Sequence, residues 1–282
     1  MKSGCSIVVP VHAMDGKFDN LKYWLSEVDS SFFEIIFVED AQHPSSELNQ
    51  IIDNHNHLDL QHKTLSVGNP GSARNIGLEK ASKEWVVFWD ADDIGRPSSV
   101  KEVIESLKDT PDAVICNFQT KKWNFPEVTF SENNHHFSLS GIPNKPGLWR
   151  IIFRRESLKK LSFPSLSMGE DQYFIANFLA TSPRVEFSNL CTYEYFIDVP
   201  RQLTSMNFRK LDLHDCRALF EALENSSPYI SVVSEMHLRV ILSALKYLPP
   251  KKKISTIFSL LRYFSKGPFF SKCQNLGRVL IN

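Results

Sequence analysis

A doubly wound α/β fold is what this sequence predicts, and three observations carry it. Short, β-branched and nearly continuous apolar runs, such as "SIVVPV" (Ser6 to Val11) and "EIIFVED" (Glu34 to Asp40), read as strands covered on both faces. Stretches with apolar residues at helical spacing alternate with those strands. Acidic residues follow some of the strands, where a parallel sheet presents the carboxyl edge at which ligands bind.

Taken in order, the first strand is followed by a helix at "DNLKYWLSEV", with Leu21, Trp24, Leu25 and Val28 on one side, and then by the strand ending at Asp40. A weak helix over Ser46 to His55, a strand at "HKTLSV" and a helix opening at "PGSARNIGLEKA" continue the alternation. The strand "EWVVFW" leads into "DADD", and Pro97 opens a helix through Leu107 before the strand "DAVICNF". Residues 124 to 147 read as an irregular ribbon or loop, rich in Asn, Pro, Ser and His. Helices are predicted at "RRESLKKL" and "EDQYFIANFLA", and strands at "RVEFSN" and "TYEYFI". Three amphipathic helices, "LDLHDCRALFEALE", "SVVSEMHLRVILSALKYL" and "KKKISTIFSLLRYFSK", end the chain.

The chain of 282 residues balances 32 Lys and Arg against 32 Asp and Glu, so bulk charge argues for neither nucleic acid nor a polyanion as partner. The charges are unevenly placed: past Glu235 there are basic residues but no acidic ones, which makes the tail a basic appendage on an acidic body. Five scattered cysteines without a Cys-x-x-Cys pair suit reduced thiols in a cytosolic compartment. The N-terminus is expected to carry no secretion signal, and no stretch reaches the roughly 18 apolar residues that span a bilayer.

Four constellations could carry chemistry. In "WVVFWDADD", Asp90 and Asp92 stand at the end of a hydrophobic strand, where alternation points both the same way; two such carboxylates suit Mg²⁺ or Mn²⁺. The other reading is a cap, with Asp92 or Asp93 serving the helix that starts at Pro97. "VED", ending at Asp40, is either a ligand contact or a turn. Arg74, in the first turn of its helix, suits phosphate or base carbonyls, and also suits a solvated surface. Glu170 and Asp171 open a helix, either as its cap or with one of them as a general base. Trp149 is either a sugar-stacking or a core residue. His135 and His136 lack ligand spacing.

The series "SIVVPVH", "FVED", "GSARNIGLEKA", "WVVFWDADD", "GED" and "YEYFIDVPRQLT" resembles family 2 glycosyltransferases over about residues 5 to 205. That resemblance implies the GT-A fold, a Rossmann-like, mixed but mostly parallel central sheet flanked by helices, here with a C-terminal helical extension. It implies a transferase domain over 1 to 205, with a nucleotide-binding half (1 to 120) and an acceptor-side half (121 to 205), and a helical region over 206 to 282. By the same resemblance, Pro10, Val11 and His12 line the nucleobase pocket and Asp40 bonds the base, usually uracil. Arg74 lies beside base and phosphates, Asp90 and Asp92 meet metal and ribose with Asp92 as the cation ligand, and Asp171 is the catalytic base. Glu39, Ala91, Glu170 and Arg201 complete the expected nucleotide-sugar contacts. His12 departs from the aromatic or Asn-containing pair common at its position, and Glu39 from a frequent Asp.

The implied activity is an inverting, metal-dependent hexosyl or N-acetylhexosaminyl transfer from a nucleotide sugar, expected to be a UDP-sugar. The acceptor would be a glycan or lipid-linked molecule in bacterial surface polysaccharide synthesis, such as capsule, lipopolysaccharide or O-antigen. The basic tail would hold the protein on the inner face of the cytoplasmic membrane, pack against the body or form a homodimer. A sugar-phosphate nucleotidyltransferase and a non-catalytic nucleotide-sugar-binding subunit are the competing classes.

Overall fold

The computed structural model describes residues 4 to 123, 125 to 130, 147 to 165 and 169 to 199. The C-terminal helices, Arg201 and the His135–His136 pair lie outside the described residues. Along the chain run β1 (Cys5–Val11), α1 (Asp19–Leu25), β2 (Phe33–Asp40), α2 (Ser46–Asn54), β3 (Leu60–Leu65), α3 (Pro70–Lys80) and β4 (Trp85–Phe88). They are followed by β5 (Ile94–Gly95), α4 (Pro97–Ser106), β6 (Ala113–Lys122), β7 (Phe125–Phe130), β8 (Ile151–Arg154), α5 (Glu170–Ala180) and β9 (Val185–Ile197).

These strands form a mixed sheet in the order β3-β2-β1-β4-β8-β6-β9-β5, with β7 paired to β6. β3, β2, β1 and β4 are mutually parallel, β8 runs antiparallel between β4 and β6, and β9 returns parallel to β6. The chain moves outward from β1 through β2 to β3 and then crosses to β4 on the other side of β1. That reversal opens a crevice beyond the carboxyl ends of β1 and β4, where His12 and Asp90 follow their strands.

Both faces of the sheet are covered, as the uninterrupted apolar runs require. Leu21, Trp24, Val100 and Val103 from α1 and α4 pack on one face with Trp89, whose ring meets that of Trp24 edge-on at 5.2 Å. Ala73, Phe174 and Phe178 from α3 and α5 pack on the other with Phe88 and Phe153. Gly77 allows α3 to lie directly on β1, since a Cβ there would stand 2.3 Å from a Val8 methyl. The helix starts are locally encoded: Ser45 accepts a bond from the Leu48 amide, Asn69 from the Ser72 amide, and Pro70 and Pro97 occupy the first turns of α3 and α4.

Several elements differ from expectation. β3 begins at Leu60 because it pairs with β2 from Ile35 onward. Part of the stretch expected to be irregular is β7, an antiparallel partner of β6. "RVEFSN" and "TYEYFI" are one strand, β9, which absorbs the break between them as register shifts against β6 near Asn117. "RRESLKKL" forms only a short 3-10 turn, Arg155–Leu158, after the unforeseen β8. β8 and β5 are too short to show a period of their own, and tertiary pairing alone makes them strands.

Candidate active site

At the end of β1, Pro10 is half-buried, Val11 is buried and the exposed His12 turns toward β2. His12 Nδ1 lies 3.1 Å from Asp40 Oδ2, while the Gln42 amide donates to the other carboxylate oxygen at 3.1 Å. Burial by itself would raise the Asp40 pKa, but the Gln42 and His12 contacts outweigh it and hold the group below its ordinary value. The His43 ring meets His12 edge-on at 4.6 Å. Glu39 is not part of this cluster: its buried carboxylate accepts from the Ser45 amide at 2.7 Å and from Thr64 Oγ1, and contacts His62 Nε2. Those bonds fasten the β2–α2 connection.

Arg74 is the hub of the crevice. Its buried guanidinium donates from Nη1 to Glu170 Oε1 at 2.7 Å and from Nη2 to Asp90 Oδ1 at 2.8 Å, so α3 joins the end of β4 to the start of α5. Burial opposes its charge, yet Asp90, Glu170 and Asp171 together raise its pKa above the usual value. The solvated alternative is therefore not what Arg74 adopts.

After β4 the chain forms a turn. Ala91 is buried, and the Asp92 carbonyl accepts from Asn20 Nδ2 at 2.7 Å. Burial and then the adjacent Asp90 charge push the Asp92 carboxyl up to about 6. Two crowded carboxylates, one of them kept from ionising easily, fit a divalent cation that would neutralise them and take its remaining ligands from phosphate oxygens and water. Asp93 caps no helix. It is fully buried, accepting from Tyr193 Oη at 2.8 Å and from the Phe196 amide at 2.6 Å, while α4 begins after Arg96 with no side-chain cap. The Asp90 amide in turn donates to Tyr193 Oη at 3.0 Å.

The third edge is α5. Gly169 precedes it in the left-handed region, φ +83°, which glycine adopts without steric cost, and no side chain caps the helix. Glu170 and Asp171 thus sit at the positive end of the helix dipole. Asp171 is raised to about 7, by burial first and then by Glu170, against the lowering influence of Arg74 and of the Gln172 amide, which donates to its Oδ1 at 2.7 Å. A carboxyl poised there can accept a proton at neutral pH.

The sequence singles out Asp90, Arg74, Glu170 and Asp171 as candidates, and the fold brings these four together from three separate segments. It missed Tyr193 and Asn20, which hold the Asp90–Asp93 turn, because nothing local in "TYEYFI" or "DNL" signals a partner about 100 or 72 residues away. Trp149 is half-buried and lies parallel to Tyr193 and Tyr195 at 4.7 and 5.4 Å.

Known proteins are similar to this chain. EpsH of Bacillus subtilis is 28% identical over 183 residues, 58% of this chain and 52% of that protein. The poly(ribitol-phosphate) beta-glucosyltransferase of Bacillus spizizenii is 27% identical over 207 residues, 70% of this chain but 32% of that protein. The chain therefore spans about half or less of the length of these two relatives. Among solved structures, S. aureus TarS 1-349 in complex with UDP-GlcNAc superposes with a TM-score of 0.72 at 16% identity, over 94% of this chain and 82% of that one. The Pyrobaculum calidifontis mannosyltransferase PcManGT in complex with GDP-Man and Mn²⁺ gives 0.60 at 16%, over 100% and 81%. These likenesses establish the GT-A fold, and the model of glycosyl transferase family 2 matches residues 6–173. That span is more than half of the chain, from the first strand to the carboxylates of α5, and on it the chain belongs to glycosyl transferase family 2.

Proposed function

We propose that this protein transfers a sugar from a nucleotide sugar to an acceptor hydroxyl with inversion at the anomeric carbon. The observation that carries the reading is the Asp90–Arg74–Glu170 chain of ion pairs, with Asp171 beside it raised into the neutral range. It sets a proton acceptor and a diphosphate-facing carboxylate pair around one crevice.

Each group has a definite task. Asp40 and His12 hold the nucleobase, uracil in our reading, at the end of β1 and β2. Asp90 and Asp92 would hold a divalent cation, Mn²⁺ or Mg²⁺, which supplies charge neutralisation for the nucleoside diphosphate as it leaves. Arg74 keeps Asp90 and Glu170 at fixed separation, so that neither carboxylate turns away from the crevice. Asp171 takes the proton of the acceptor hydroxyl as that oxygen attacks the anomeric carbon on the face opposite the departing diphosphate.

A poly(ribitol-phosphate) beta-glucosyltransferase and a UDP-GlcNAc-bound TarS among the similar proteins support a hexosyl or N-acetylhexosaminyl donor and a cell-surface polymer as acceptor. The test is nucleotide release from a panel of UDP- and GDP-sugars with Mn²⁺, with product anomers read by NMR. One donor turned over with inversion is expected. Tight UDP binding without turnover of any donor would favour a binding subunit, and pyrophosphate release from a sugar phosphate and UTP would favour a nucleotidyltransferase.

A further inference from the structure

Arg150 ends a 3-10 turn, Leu148–Arg150, immediately before β8. The registers Val86↔Phe153 and Ile115↔Ile151, continued along the sheet, bring Arg150 level with Trp89 on one side and Cys116 on the other. Trp89 immediately precedes Asp90, so Arg150 belongs to the same carboxyl rim as the crevice. The link is also physical: Trp149 stacks on Tyr193, and Tyr193 Oη accepts from the Asp90 amide.

Each other arginine at this rim has a carboxylate: Arg74 has two, and Arg96 has Glu194. Arg150 has none among the described residues. Its guanidinium lies over the Phe118 ring, 5.4 Å from the centroid, and its Nε is buried without a hydrogen-bond partner. Burial pushes its pKa down to about 10, and among the described residues the Cys116 thiol is what opposes the fall. A half-buried, unmatched cation destabilises the free protein, and an apolar side chain of equal size would pack there at lower cost. A cation held in this way at a substrate-binding rim is suited to an anion that arrives with the substrate, and a guanidinium matches phosphate in two-pronged geometry.

We propose that Arg150 receives a phosphate group of a substrate, that of a phosphate-bearing acceptor. The donor diphosphate is the other source of the same chemistry, but on the proposed reading Asp90 and Asp92 would serve it through a divalent cation. The proposal deepens the glycosyltransferase reading and rests on it for the meaning of "acceptor", while its test needs no turnover.

The full chain, Arg150→Met and Arg150→Lys are titrated with UDP and Mn²⁺, and separately with ribitol 5-phosphate, ribitol and inorganic phosphate, each with and without saturating UDP and Mn²⁺. Thermal unfolding of the free proteins is recorded alongside. Arg150→Met is expected to bind UDP within twofold of wild type, to bind ribitol 5-phosphate at least tenfold more weakly, and to unfold at the same temperature or higher. Arg150→Lys should recover part of the phosphate affinity, and ribitol should distinguish none of the three. A loss confined to the UDP titration assigns the phosphate to the donor and overturns the acceptor assignment. Wild-type chain that binds neither ribitol 5-phosphate nor inorganic phosphate overturns the proposal, as does Arg150→Met unfolding several degrees lower with phosphate affinity intact. Failure of wild type to bind UDP would instead sink the glycosyltransferase reading, and the titrations without nucleotide would still decide Arg150.

Discussion

Glu34, at the amino end of the sheet, and Asp92 and Asp171, at its carboxyl end, are held in opposite ways. At the amino end, Glu34 accepts from Ser6 Oγ, from the Ser82 amide and hydroxyl and from the Lys83 amide. Burial opposes its ionisation, but those donors more than compensate and lower its pKa. At the carboxyl end, Asp92 and Asp171 are raised to about 6 and about 7, by burial and by neighbouring carboxylates. Glu34 has its charge satisfied by four donors within the protein, whereas Asp92 and Asp171 stand beside further carboxylates. On the proposed reading, Glu34 serves stability and the pair Asp92 and Asp171 serves chemistry.

The largest effect should come from Asp171, the proposed base. Asp171→Asn is expected to reduce transfer by about 10²- to 10⁴-fold while UDP affinity stays within a few-fold of wild type, as measured by turnover and calorimetry. With wild type, kcat/KM should rise with pH through about 7 and then level off, since the carboxyl must lose its proton to serve as base. Undiminished transfer by Asp171→Asn would remove the base assignment.

Glu34→Ala tests the other edge. It strands several buried donors and should cost on the order of 2 to 4 kcal/mol in urea unfolding, with UDP affinity of the folded fraction preserved. The sign with pH is set by its lowered pKa: this stabilisation is present above the ordinary Glu value near 4.5 and is lost as pH falls below it.

Asp92→Asn should behave in the reverse sense. A carboxyl raised from 3.8 to about 6 favours the folded state below its unfolded value, and that contribution disappears as pH climbs through about 6. Without added metal the variant should therefore unfold a few degrees higher than wild type at pH 8 and match it near pH 3.5, on the order of 1 kcal/mol, while losing Mn²⁺-dependent UDP binding. A lower unfolding temperature at pH 8 would contradict the contrast between the two edges. The smallest effect is expected for Tyr193→Phe, which keeps the ring stack but removes the hydroxyl from Asp93 and Asp90. UDP–Mn²⁺ affinity should fall about 5- to 10-fold, the equivalent of about 1 kcal/mol.

Much of the fold was legible beforehand. The apolar runs of β1, β2 and β4 and the helix starts at Ser45, Asn69, Pro70 and Pro97 are local signals, and their elements formed close to where those signals stand. Arg74, Asp90 and Asp171 each admit a structural reading alone and are singled out by the series of motifs that resembles family 2 glycosyltransferases. What stayed hidden depends on distant partners. Asp93 reads as a cap until Tyr193 is seen to reach it, and Glu39 reads as Asp40's companion until Ser45 and His62 take its oxygens. Arg150 gives no sign in sequence of lacking a counter-ion, since only the assembled neighbourhood determines that.

α3 connects the two edges. Glu34 grips the residues just beyond its last turn, and Arg74 works from its first half, eight residues away, of which six steps to Lys80 give roughly 9 Å of helical rise. Seated on β1 through Gly77, the helix acts as a ruler between a fixed anchor and a working tip. Substitutions on its solvent side leave that length unchanged. Deleting one residue between Arg74 and Ser82 would instead turn the guanidinium by about 100° about the helix axis and separate Asp90 from Glu170 without altering a single residue of the site.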